Sequence, residues 1–251
     1  MQGPARARVW MERMATRVSQ ADLERLSRTL LAGIDEVSNA RWEAAVSRAA
    51  ALPGEVRPEK MKALADSFSR ELGVFGAGVG AAAATPVVGT TATLLAATAE
   101  LAWFTARAGD LVLTVAALHG RPAPTVDERR AWMLAVLIYG GSARDGFTKA
   151  INEASTGLAP STSSRLPIST LQTVNRLLTP RLVRRYGSRR GAIALGTALP
   201  LGIGALVGGS ANYMAVRSLA HHADEFFARL PYSAIDTTAI DIGGHLPSAT
   251  G

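Results

Sequence analysis

Two long uncharged stretches constrain this chain more than any other feature. Gly73 to Ala99 and Gly191 to Val216, 27 and 26 residues, contain no charged side chain. Each exceeds the ~20 apolar residues that a helix needs to cross a bilayer. Yet each is built mainly of Ala and Gly, and each has a proline near its middle, Pro86 or Pro200. Small residues give a weak drive into lipid but let helix backbones approach closely. Gly76 with Gly80, and Gly204 with Gly208, form one G-x-x-x-G pair in each stretch. That spacing lines one helix face, so these four glycines are expected to serve helix packing. Each proline then marks a kink or a turn. The two stretches are expected to pack together, inside a helical bundle or as a hairpin that enters a membrane.

The rest of the chain carries helical periodicity. Leu23, Leu26, Leu30, Ile34 and Val37 follow the 3–4 spacing of an amphipathic helix, with Ser19 and Asp22 as a weak capping box. Pro53-Gly54 breaks the pattern, and Pro58 suits the first turn of a new helix. A long helix should run through Glu100, Trp103, Arg107 and Leu111 and end at His119-Gly120. Thr125 with Glu128 is a second capping box, opening a helix with Trp132, Val136 and Tyr139 on one side. Residues 156–168 are rich in Ser, Thr and Pro and read as a loop. Leu171, Val174, Leu177 and Leu178 predict a short helix stopped near Pro180. A polar last helix holds Arg217, His221, His222, Asp224 and Glu225. The expected fold is all-α, one multi-helix domain over residues 5–230, followed by a flexible tail, 231–251. A chain of 251 residues can bury such a core without disulfides or metal. It has no cysteine, which excludes thiol catalysis and Cys-ligated metal sites.

Charge is distributed unevenly. Of 27 basic side chains 24 are arginine, and the net charge is +7. No acidic residue lies between Glu153 and Asp224, whereas eight arginines do. Arg181, Arg184, Arg185, Arg189 and Arg190 cluster just before the second apolar stretch. A polybasic anchor to anionic lipid belongs at such a place. Nucleic acid is disfavoured as the partner, because the cluster lacks a binding motif and an aromatic stacking surface. The N-terminal residues include Arg6, Arg8, Glu12, Arg13 and Arg17 without an apolar core, so no cleavable signal is expected. The expected location is cytoplasmic, peripheral to or partly inserted in the inner face of the cell membrane.

The run Glu100 to Arg107, then Ala116 to Gly120, Asp127 to Arg129 and Trp132 to Val136, resembles the middle of EcsC-family proteins. The segment Pro200-Leu-Gly-Ile-Gly204-Ala-Leu-Val-Gly208-Gly209-Ser-Ala-Asn212, with Ala223 and Phe226-Phe227 downstream, resembles that family's Pro–Gly–Gly–Asn signature. The likeness covers about residues 60 to 230. It implies an accessory role near membranes, linked to a transporter or to secretion and protein maturation. It supplies no catalytic residues and no cofactor.

The residues that carry chemistry leave several readings open. Glu100 is the only charge between Leu72 and Thr105, and a lone carboxylate there must be protonated, paired or at an aqueous edge. A buried polar cluster of Glu100, Arg107, Asn212 and Arg217 is expected if the two stretches pack. His221 and Glu225, one helical turn apart, are weak candidates for a metal pair, two ligands where a site needs more. Ser142 and Ser210 follow glycine pairs but lack the G-x-S-x-G setting of a nucleophile. The leading expectation is a non-enzymatic, EcsC-like accessory protein. A hydrolase-like enzyme using polar residues among the apolar helices, and a soluble interaction scaffold, are the alternatives.

Overall fold

The helical periodicity is realised as helix. The computed structural model describes residues 20–83, 90–122, 124–155, 166–187 and 208–230. Among them the regular structure is α1 (Gln20–Ala40), α2 (Trp42–Ala51), α3 (Arg57–Ala83), α4 (Thr90–Leu118), α5 (Val126–Tyr139), α6 (Ala143–Ala154), α7 (Ile168–Gly187) and α8 (Gly208–Arg229), with one 3₁₀ turn at Gly140–Ser142. The fold is all-α, and residues of every one of these helices enter a single hydrophobic core.

The C-terminal half of α4 is its axis. Leu111, Val112, Leu113, Val115 and Ala116 are all buried, as expected of a helix surrounded by others. Helices α1, α2 and α8 pack directly against it. From α1 come Leu30, Ile34 and Val37, at the predicted spacing. On the other side α5 packs on α7, and α6 on both. Helix α5 buries more than one face: Ala131 through Val136 are all inaccessible. Phe226 and Phe227 of α8 extend an aromatic chain into this half of the molecule. Phe227 meets Trp132 edge-on at 5.1 Å, and Phe226 meets Phe147 at 5.6 Å. Burying one such ring contributes about 2–3 kcal/mol.

Helix ends follow local chemistry. Gly54 has φ +111°, a conformation that side chains resist, and the chain turns there into α3. Glu59 then accepts a hydrogen bond from the Glu55 N–H at 3.0 Å, satisfying a donor ahead of the helix. Thr125 caps α5 by accepting from the Glu128 N–H at 3.2 Å, as the capping box predicts. Gly120 follows α4 with φ +65°.

One expected boundary is corrected. Helix α7 does not stop near Pro180 but continues to Gly187 with Pro180 inside it. An internal proline removes one ladder bond and costs about 3 kcal/mol. Here Leu178 and Leu182, one turn apart across the proline, are both fully buried, so core packing holds the helix together through the break. The helices α2 and α6 were not singled out in the sequence.

Of the apolar stretches, Gly73–Ala83 continues α3, Thr90–Ala99 opens α4 and Gly208–Val216 opens α8. Helix α8 packs on both α3 and α4. Residues 84–89 and 191–207, with Pro86, Pro200 and Gly204, lie outside the described residues, as do Ser19, the 156–165 part of the expected loop and the 231–251 segment. Among the described residues no helix is long and apolar enough to cross a membrane.

Candidate functional site

Arg107 is buried in a polar cluster, but with partners other than those expected. It projects from α4 with its side chain 12% exposed and bonds Asp110 Oδ2 at 2.7 Å and the Glu71 carboxylate of α3. Its guanidinium lies over the buried Phe68 ring, 4.7 Å from the centroid. Arg48 of α2 reaches the same ring at 4.9 Å and Glu71 at 3.7 Å. Arg41, between α1 and α2, adds a contact to Asp110 at 3.5 Å and one to Glu36 at 2.6 Å. The Arg107 pKa is lowered by burial and by the Arg48 charge, against the pull of Asp110. The Arg41 pKa is raised, first by its hydrogen bond to Glu36. Each carboxylate here already faces a guanidinium, so the cluster clamps four helices together and offers no idle base.

Two other members of the expected cluster, Glu100 and Asn212, have side chains outside those described. Arg217 is corrected: it is exposed. The buried face of α8 is Val216, Ala220, Ala223, Phe226 and Phe227, and Arg217 is about 100° round the helix from Val216.

The histidines of α8 separate. His221 is exposed and sits 3.7 Å from Glu225, so the i,i+4 pair forms at the surface. His222 turns the other way, toward Gly140 and Gly141. No group of three or more potential metal ligands occurs among the described residues. Asp224 is engaged elsewhere.

That engagement is a junction the sequence did not reveal. Directly after α4, His119 is 7% exposed as a residue, and its Nε2 lies 2.8 Å from Asp224 Oδ1. A carboxylate accepts, so Nε2–H donates and the neutral ring is fixed in one tautomer. Burial lowers the His119 pKa, opposed by the hydrogen bond to Asp224. Arg57, the first residue of α3, stands 3.6 Å from the same Asp224 oxygen. Two residues past His119, buried Arg121 donates to the carbonyls of Phe227 and Leu230, at 2.6 Å each. It thereby satisfies acceptors at the end of α8 that the helix leaves open. The available signal was weak: a histidine at a helix end, an arginine two residues on, and an aspartate first read among metal ligands.

The arginine face is only partly as expected. Arg176, Arg184 and Arg185 of α7 are exposed. Arg181 is instead drawn against α5 and α6, bonding Tyr139 Oη at 2.9 Å and Glu153 at 2.6 Å, and its pKa is raised chiefly by the bond to Tyr139. It lies on the Leu178–Leu182 side of the helix, which faces the core. Arg189 and Arg190 lie outside the described residues. Gly76 and Gly80 are within α3, and Gly208 is the first residue of α8; their packing neighbours lie outside those described.

Comparison with protein-family models, with curated proteins and with solved structures finds no match to this chain.

Proposed function

We propose that this protein is a non-enzymatic, EcsC-like accessory protein that works at the cytoplasmic face of the membrane, docking to anionic lipid through the outer face of α7. The observation that carries the reading is the composition of that helix. It has four arginines and no acidic residue, three of the four are exposed, and the chain continues into Arg189 and Arg190. Each basic residue held near an anionic leaflet contributes about 1 kcal/mol, so the three exposed arginines supply roughly a hundredfold in partition. The engaged ionic groups at Arg107 and His119 also fit a protein whose buried charges hold helices in place. By its resemblance, the partner would be a transporter or secretion component in the same membrane.

The test is co-sedimentation with vesicles of phosphatidylcholine, with and without phosphatidylserine. The expected result is salt-sensitive binding to the anionic vesicles only, weakened about a hundredfold by Arg176→Gln, Arg184→Gln and Arg185→Gln together. Circular dichroism would check that the variant keeps its helices. Equal binding of the variant and the parent, or none by either, would replace this reading with an interaction scaffold.

A further inference from the structure

Beside the His119 junction lies a cleft of about 410 Å³ between α2, the start of α3 and the end of α4. Its walls divide by chemistry. Val46 and Ala49 of α2 and Leu118 of α4 form an apolar side, and Val46 is among the few large apolar side chains left exposed. Arg57, Lys60 and Arg121 form the other side, with Glu55 as the lone carboxylate of the lining. The lining therefore carries an excess of two positive charges.

The three cations are held differently. Arg121 is fixed by the neutral carbonyls of Phe227 and Leu230, which leave its charge uncompensated. Arg57 has only a long contact to Asp224, an acid already bonded by His119. Lys60 is half-buried, and its ammonium makes no ion pair among the described residues. Lys62, two residues on, is paired with Asp66 at 3.0 Å. Cations gathered from two helices and a loop, with few acids to answer them, repel one another unless an anion joins them.

We propose that this cleft is a binding site for a phosphate monoester. The phosphate would sit between Arg57 and Lys60 with Arg121 behind, and the organic part would lie along Val46, Ala49 and Leu118. A dianion matches the excess charge of the lining, and Arg and Lys are the side chains that recognise phosphate oxygens. The site stands apart from the arginine face of α7 and needs no bilayer.

Calorimetric titration of the full chain tests it, using inorganic phosphate and dihexanoyl phosphatidic acid below its micelle concentration. Saturable binding is expected, with methyl shifts at Val46 and Leu118 in ¹³C spectra. Lys60→Gln should weaken it about tenfold or more, whereas Lys62→Gln should leave it unchanged. Tighter binding of the lipid than of phosphate would identify a lipid headgroup as the source. Equal binding would identify a free phosphate compound. No saturable binding of either probe, affinity unchanged in Lys60→Gln, or shifts confined to other methyls would overturn the proposal. Because no vesicle is present, failure here is separate from failure of the α7 reading.

Discussion

His119 Nε2 donates to Asp224 Oδ1 over 2.8 Å, joining the end of α4 to α8 across 105 residues of sequence. The bond is made by a histidine whose pKa is lowered from 6.5, principally by burial. The unfolded chain therefore takes up a proton at a higher pH than the folded one does. Stability contributed through this group is complete above about pH 6.5 and is lost as pH falls toward the depressed native pKa. Urea midpoints measured at about pH 7.5, 6.5 and 5.5 should decline for the parent. In His119→Gln, which keeps a donor for Asp224 but cannot titrate, the decline over this range should be smaller. Parallel curves for the two proteins would contradict the assignment.

Gly146 of α6 sits beneath Tyr139, and a Cβ built there would lie 2.3 Å from the ring. Alanine at a helix interior normally gains up to about 1 kcal/mol over glycine. Overpacking opposes this with about 1–3 kcal/mol, and a displaced Tyr139 would also release Arg181. Gly146→Ala should therefore destabilise the protein by about 1–2 kcal/mol. Introduced into Tyr139→Ala, the same substitution should be neutral or stabilising. A double-mutant cycle by denaturant unfolding reads the coupling, and a cycle that sums to zero would show that the ring is not the obstacle.

Removing Arg107 leaves Asp110, a side chain 8% exposed, with only the longer contact to Arg41. Breaking one side of a buried pair costs about 3–5 kcal/mol, and Arg41 holds the loss near the lower end. Arg107→Met should thus lower stability by about 3 kcal/mol. Arg107→Lys should recover part of it, because one ammonium cannot span both Glu71 and Asp110 as the guanidinium does. Equal stability of the Met and Lys variants would mean that the aliphatic stem over Phe68, rather than the charge, carries the effect.

Thr125 offers a simpler check on the start of α5. Replacing it with alanine removes the acceptor for the Glu128 N–H and should cost about 1 kcal/mol, whereas serine should retain most of the stability. Thermal unfolding of the two variants distinguishes a working cap from a bystander hydroxyl.

Local signals of the fold could be read directly. Thr125 with Glu128, Gly54 and Gly120 mark their boundaries because capping and positive φ depend on a few adjacent residues. Leu30, Ile34 and Val37 were legible because one stripe faces one neighbour. Helix α5 looked one-sided and is buried on more than one face, since α7 and α1 cover sides that the pattern could not assign. Pro180 misled for a related reason: its local penalty was visible, but the packing of Leu178 and Leu182 against distant helices was not. The charged groups were least legible. Arg107 was rightly read as buried, yet its partners come from Glu71, 36 residues earlier, and Asp110, three residues later. Asp224 was placed among metal ligands and instead meets a histidine from another helix. Ion pairs between helices depend on rotation and register, which hydrophobic spacing does not encode.

The grip of Arg121 on Phe227 and Leu230 bears on the order in which this chain can mature. The residues that close the aromatic half of the core belong to α8, which emerges from the ribosome after every other described helix. Until it arrives, Trp132 and Phe147 lack their edge-on partners and Arg121 has neither carbonyl to hold. The nascent protein must therefore pass through a stage with an open apolar trough along α4 and α5, sealed only when its last helix swings into place.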